Sequence, residues 1–150
     1  MMFDAPADDH DSLRAWVDEF SGHVAACEFD DAAKQYDRDV LSFSSFQDIV
    51  VGIDQFVEAQ WRRVWPFMTD FRLETQSMRT MVSPDRLMGV VMATWASTGY
   101  HEDGTTFDRP GRCTIVLRRD TLDTPWCGVH GHFSLKRGIP QQSFGRPGAR

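Results

Sequence analysis

The chain has 150 residues, 41% of them hydrophobic, 12% aromatic and 25% charged. That balance excludes a disordered chain, a collagen repeat and a coiled coil, and one domain of this length hides roughly 68–70% of its unfolded surface without help from disulfides or metals. Sixteen Lys+Arg against 22 Asp+Glu leave a net charge of −6, a mean field that repels phosphate backbones and anionic lipid, so neither a nucleic-acid nor a membrane partner is expected.

The cations are almost all arginine, lysine occurs only at Lys34 and Lys136, and asparagine is absent, a usage that points to GC-rich coding and a bacterial source. Cys27, Cys113 and Cys127 cannot all pair, show no CxxC spacing and sit among apolar neighbours, as reduced core thiols do. A cytoplasmic compartment fits that chemistry. The acidic start carries no apolar signal region, and no apolar run approaches the ~18 residues of a membrane span.

Residues 1–11 read as a flexible polar leader. From Ser12 the residues Leu13, Trp16, Val17, Phe20, Val24 and Cys27 recur at helical spacing and predict a core-facing helix. Phe29, Ala32, Ala33 and Tyr36 predict a second, shorter helix. The period then changes: Val40 to Ser45 alternate as a strand does. Ile53, Phe56, Val57, Trp61, Val64 and Trp65 return to one helical face, which Pro66 ends. Beyond it four antiparallel strands are expected. Residues 70–82 change parity midway, which a bulge or bend in one long strand explains. Residues 87–98 are apolar on both parities, so both faces need cover. Residues 111–119 and 126–135 are the last two, joined by a polar loop, and 137–150 reads as a flexible tail. Helices followed by a run of strands predict an α+β domain in which a curled antiparallel sheet packs on N-terminal helices and leaves an apolar hollow. The sheet's other face calls for a partner, and a second copy of the chain is the simplest one.

Nucleotide-loop, dinucleotide, zincin, EF-hand and nucleophile-elbow motifs are all missing, so no cofactor is expected. His130 and His132 lie two apart and would share a strand face, but no third ligand follows at close spacing, and no metal is expected there. Arg112 and Thr114 also share a face. In a cavity they would hold an oxygen of a ligand; at a sheet edge they would face water. Register decides between these. Symmetric closure of the loop at 120–125 sets Arg112 opposite Phe133 and the histidines on the reverse face, whereas a slip of one residue unites all four. Trp61 and Trp65 form an aromatic ledge that serves either as core or as ligand platform.

The element order and the segments Tyr36 to Val40, Gly52 to Phe56, Gly111 to Arg119 and Trp126 to Ser134 resemble the SnoaL-like branch of the nuclear transport factor 2-like superfamily. The likeness covers residues 12–136, taken as the domain. It implies a cone-shaped cystatin-like roll, commonly dimeric through the outer face of its sheet. The superfamily holds isomerases, cyclases, hydrolases and non-catalytic modules, so the residues must choose the reaction. Aligned through Tyr36, the isomerases' oxyanion-hole tyrosine falls on Phe20 and their proton-abstracting aspartate on Ser44. Neither side chain performs those roles. Arg118-Arg119-Asp120 and Val129-His130-Gly131-His132 before Ser134 also resemble the association domain of calcium/calmodulin-dependent kinase, an assembly module whose cavity arginines would match Thr114 and Phe133.

The resulting expectation is a homodimeric SnoaL-like protein binding a small apolar molecule. Any chemistry would be cofactor-independent isomerisation, cyclisation or hydration, with His130 or His132 as acid–base, Arg112 and Thr114 orienting the ligand, and Phe20, Tyr36, Trp61, Trp65, Trp95 and Phe133 as walls. The alternative is a non-catalytic oligomerisation or binding module.

Overall fold

The computed structural model describes residues 3–148. Helix α1 (Ala7–Ala25) begins well before the expected start at Ser12, because Asp9 falls on the same buried stripe as Leu13, Trp16, Val17, Phe20 and Val24. Its carboxylate meets Arg86 and Arg119 there, so the acidic first turn is pinned rather than frayed. Helix α2 (Phe29–Ala33) is short, and Tyr36, expected to close it, instead opens strand β1 (Tyr36–Phe43). Strand β2 (Ile49–Val51) folds back on β1, pairing Leu41 with Val51 and Phe43 with Ile49.

The tryptophan-bearing helix is composite. Helix α3 (Ile53–Phe56) widens into a π-helical turn (Val57–Trp61), continues as α4 (Arg62–Val64) and tightens into a 3-10 turn (Trp65–Phe67) holding Pro66. In a π turn residues five apart become neighbours, and the Phe56 and Trp61 rings lie 5.0 Å apart.

Residues 70–82 form two strands, not one bent strand: β3 (Thr69–Leu73) and β4 (Arg79–Val82), with a turn between them. Both pair with the same edge of the long strand β5 (Met88–Tyr100), and the register slips inside β3 where Asp70 is left-handed (φ 57°). The parity change comes from the turn, since the slip at Asp70 precedes Phe71. Strand β6 (Thr106–Asp108), β7 (Gly111–Arg118) and β8 (Cys127–Leu135) complete an eight-stranded sheet. Its path runs β2-β1-β8-β7-β5-β3, and β1 joins β8 in parallel. The sheet curls around α1 without closing, an α+β architecture with one aromatic-rich core in its hollow.

The loop closes as symmetry predicts, with Arg118 opposite Cys127 and Leu117 opposite Gly128. Val129 then bulges, and from Val116–His130 onward the register is shifted by one, setting Thr114 opposite His132 and Arg112 opposite Ser134. A bulge of one residue exchanges the faces of everything beyond it.

Beyond β8 the chain turns back across the open end of the sheet. Ser143 Oγ donates to the Phe67 carbonyl and accepts from the Tyr100 amide, the Phe144 amide bonds Tyr100 O at 2.8 Å, and Arg146 Nε reaches the Tyr100 hydroxyl at 3.2 Å.

Candidate functional site

The hollow between α1, the composite helix and the C-terminal strands contains a cavity of about 360 Å³, within the range of small-molecule sites. Each wall follows from local sequence. Phe20 and Val24 come from the buried stripe of α1, and Phe56, Trp61 and Trp65 from the inner face of the composite helix. Trp61 and Trp65 stack at 4.5 Å and 18°, and Phe20 meets Trp65 edge-on at 5.9 Å. Trp95, Phe133 and Leu135 arrive from β5 and β8, on the parity that faces inward. Gly111 permits this packing: a Cβ there would lie 2.2 Å from the Trp95 ring and 2.3 Å from Ser134 O.

One rim is polar. Gln60 Oε1 accepts from Ser44 Oγ at 2.9 Å and from the Ser45 amide at 2.8 Å, fastening the exit of β1 to the helix. Ser44 and Phe20, the two positions matched to the isomerases' base and oxyanion donor, both line this cavity. Its walls hold no carboxylate, lysine, tyrosine or thiol among the described residues. The ionisable groups present are His132, beside the wall residue Phe43 (rings 4.8 Å apart), and Arg109.

Sequence reasoning did not select Arg109. It is only 6% exposed, lies over the Trp95 ring with its guanidinium carbon 5.6 Å from the centroid, and has no carboxylate partner among the described residues. Burial pushes its pKa down to about 10. A signal for it existed. Arg109 shares parity with Gly111, Cys113, Ile115 and Leu117, all buried, and Pro110 holds the residue before it extended.

The other candidates divide by face. Phe20, Trp61, Trp65, Trp95 and Phe133 line the cavity. Tyr36 sits behind them, its ring packed against Trp16, Phe20, Phe56 and Trp61 and its hydroxyl buried without a partner, which drives its pKa well above the ordinary value. The bulge at Val129 gathers Arg112, Thr114, His130 and His132 on one face, and that face is the outer one, opposite buried Cys113, Ile115 and Leu117. There Arg112 Nε reaches Ser134 Oγ at 3.4 Å, and His130 Nδ1 lies 2.8 Å from Leu41 O. Arg112, Thr114 and His132 border an open depression. Among the described residues, the group whose side-chain donors cluster tightly enough for a metal is His23, Glu28 and Asp31, away from the cavity and mostly exposed.

No family model matches the sequence, and no curated protein matches it. The fold does have solved counterparts. A ketosteroid isomerase-like protein from Erwinia carotovora superposes with a TM-score of 0.73 at 14% identity, over 90% of this chain and 100% of that one. A nuclear transport factor 2 (NTF2-like) superfamily protein from Salmonella enterica gives 0.67 at 16% identity, over 92% and 99%. The association domain of the calcium/calmodulin-dependent kinase of C. elegans gives 0.57 at 12%, over 77% and 86%. The chain thus has an NTF2-like fold. At such identities the likeness is one of fold, which hosts both isomerase-like proteins and assembly modules.

Proposed function

We propose that this is a SnoaL-like small-molecule-binding protein whose cavity takes a largely apolar, ring-sized molecule. The observation that carries this reading is the cavity itself, walled by stacked Trp61 and Trp65 and by Phe20, Trp95 and Phe133, with polar groups such as Gln60, Ser44 and Arg109 set among them. Flat, weakly flexible rings suit aromatic guests, and a few placed polar groups suffice to orient them. Of the two histidines expected as acid–base, His132 is the one at the cavity, so a proton-transfer role belongs to it rather than to His130. Calorimetric titration with 2-naphthamide, a neutral bicyclic probe, tests the reading. The wild-type protein binds it, and Val64→Trp, which fills the cavity from its helical wall, loses it. No binding of this probe or of its carboxylate counterpart, or equal binding by both proteins, refutes the proposal.

A second reading is self-association through the outer face. Leu41, Phe43, Ile49 and Val51 are 46–63% exposed there, and Met88 and Met92 about 40%. Register puts all of them on the side that carries His130 and Thr114. Such a run of apolar side chains marks an interface, and a second copy of the chain is its proposed occupant. Light scattering at micromolar concentration should give twice the chain mass, and Val51→Glu should give the monomer. A monomeric wild type removes this reading.

A further inference from the structure

Two residues that line the cavity, Arg109 and Trp95, each carry a buried N–H donor without an acceptor, Nε and Nε1 respectively. Buried donors are nearly always satisfied, and each exception needs a reason. The remaining guanidinium contacts are weak ones: Nη1 lies 3.6 Å from the Met68 sulfur, and Nη2 lies 3.4 Å from the Gln141 carbonyl on the returning tail. A charge this buried normally has a carboxylate beside it. The chain has 22 Asp and Glu to offer, and among the described residues none lines this cavity or the adjoining cleft, where Arg62 and Arg63 lie. An acidic protein thus keeps, among the described residues, one end of its apolar hollow lined by a buried arginine and by no acid.

We propose that the molecule bound here is an organic anion, an aromatic carboxylate whose oxygens pair with Arg109 while its ring lies among Trp61, Trp65 and Phe133. This rests on the cavity reading above and adds the charge of the ligand to it. A guanidinium presents two parallel N–H groups that match a carboxylate, and inside a water-poor pocket that pairing outweighs the same contact at the surface. Arg63 at the cleft adds a positive charge on the approach to Arg109, whereas Arg62 beside it is paired with Glu58 at 2.7 Å.

The test compares naphthalene-2-carboxylate with 2-naphthamide, equal in shape and different in charge, by titration calorimetry at neutral pH. The wild-type protein should bind the carboxylate at least tenfold more tightly. Arg109→Met should abolish that preference, bringing the affinities for the two probes within about threefold of each other, and Arg109→Lys should retain part of it. Because the substitution removes a buried unpaired charge, ligand-free Arg109→Met should melt no lower than the wild type, which a purely structural arginine would not allow. Equal binding of the two probes by the wild type overturns the anion proposal and leaves the cavity standing, and it needs no variant to fold. A preference that survives in Arg109→Met overturns it too. If neither probe binds the wild type, the cavity reading falls and takes this inference with it.

Discussion

Replacing Asp9 by alanine should be among the most damaging changes a single carboxylate can suffer in this chain. The side chain is 2% exposed and accepts from Arg86 Nε at 2.6 Å, Arg86 Nη2 at 2.9 Å and Arg119 Nη2 at 2.8 Å. Arg119 is itself 5% exposed and lies 4.0 Å over the Trp126 ring. Without Asp9 it keeps only carbonyl partners, Arg86 O at 3.0 Å and Leu122 O at 3.5 Å, for a full buried charge. Breaking a buried pair from one side costs about 3–5 kcal/mol, which for a chain of this length lowers Tm by roughly 6–20 °C. The loss is large beside a total stability of about 5–15 kcal/mol.

The same network sets a pH dependence. The hydrogen bonds from Arg86, with burial opposing and Arg119 assisting, hold the Asp9 carboxyl below its ordinary value of 3.8. A depressed acid contributes its full stability above the unfolded value and loses it as pH falls through the folded one. Chemical denaturation of the wild type and Asp9→Ala, from pH 7 down to pH 2.5, should therefore show a gap that is constant above about pH 5 and narrows below pH 3.8. Asp9→Leu combined with Arg119→Met, which replaces the buried pair by apolar groups, should recover most of the stability lost in Asp9→Ala. A loss under about 0.5 kcal/mol at pH 7, or a gap that ignores pH, would refute the argument.

Gly111→Ala should destabilise the protein by about 1–3 kcal/mol, since its Cβ meets the backbone oxygen of Ser134 as well as the Trp95 ring, and should weaken 2-naphthamide binding because Trp95 is a cavity wall. Thermal melts and calorimetry check both effects. Tyr36→Phe should leave stability unchanged or raise it by about 1–3 kcal/mol, because the hydroxyl it removes is buried without a partner; a clear loss would show that this hydroxyl does have one. Hydrogen exchange should find the Phe144 amide, bonded to Tyr100 O, protected relative to that of Gly148, whereas equal exchange would mean the returning tail is loose in solution.

What the sequence disclosed of this molecule and what it hid have separate physical causes. The stripe from Leu13 to Val24 and the helical face from Phe56 to Trp65 are legible because helical burial repeats every three or four residues, and several large side chains report the same phase. The closing loop of β7 and β8 was legible as well, down to Arg118 opposite Cys127. The decisive event lies two residues beyond that pair. Val129 bulges, and no residue pattern announces it, since valine suits either state of a strand. That single extra residue places His130, His132, Arg112 and Thr114 together on the outer face, so that of these four residues, whose chemistry drew attention, His132 alone also borders the cavity. Polar residue types draw the eye to strand centres, where exposure is ordinary. Arg109 escaped because a lone arginine before Pro110 reads as a turn, and its meaning comes from a long-range fact, the lack of any carboxylate among residues that only folding brings near it. Apolar patterning reports what leaves water; it does not report which charge is left without company.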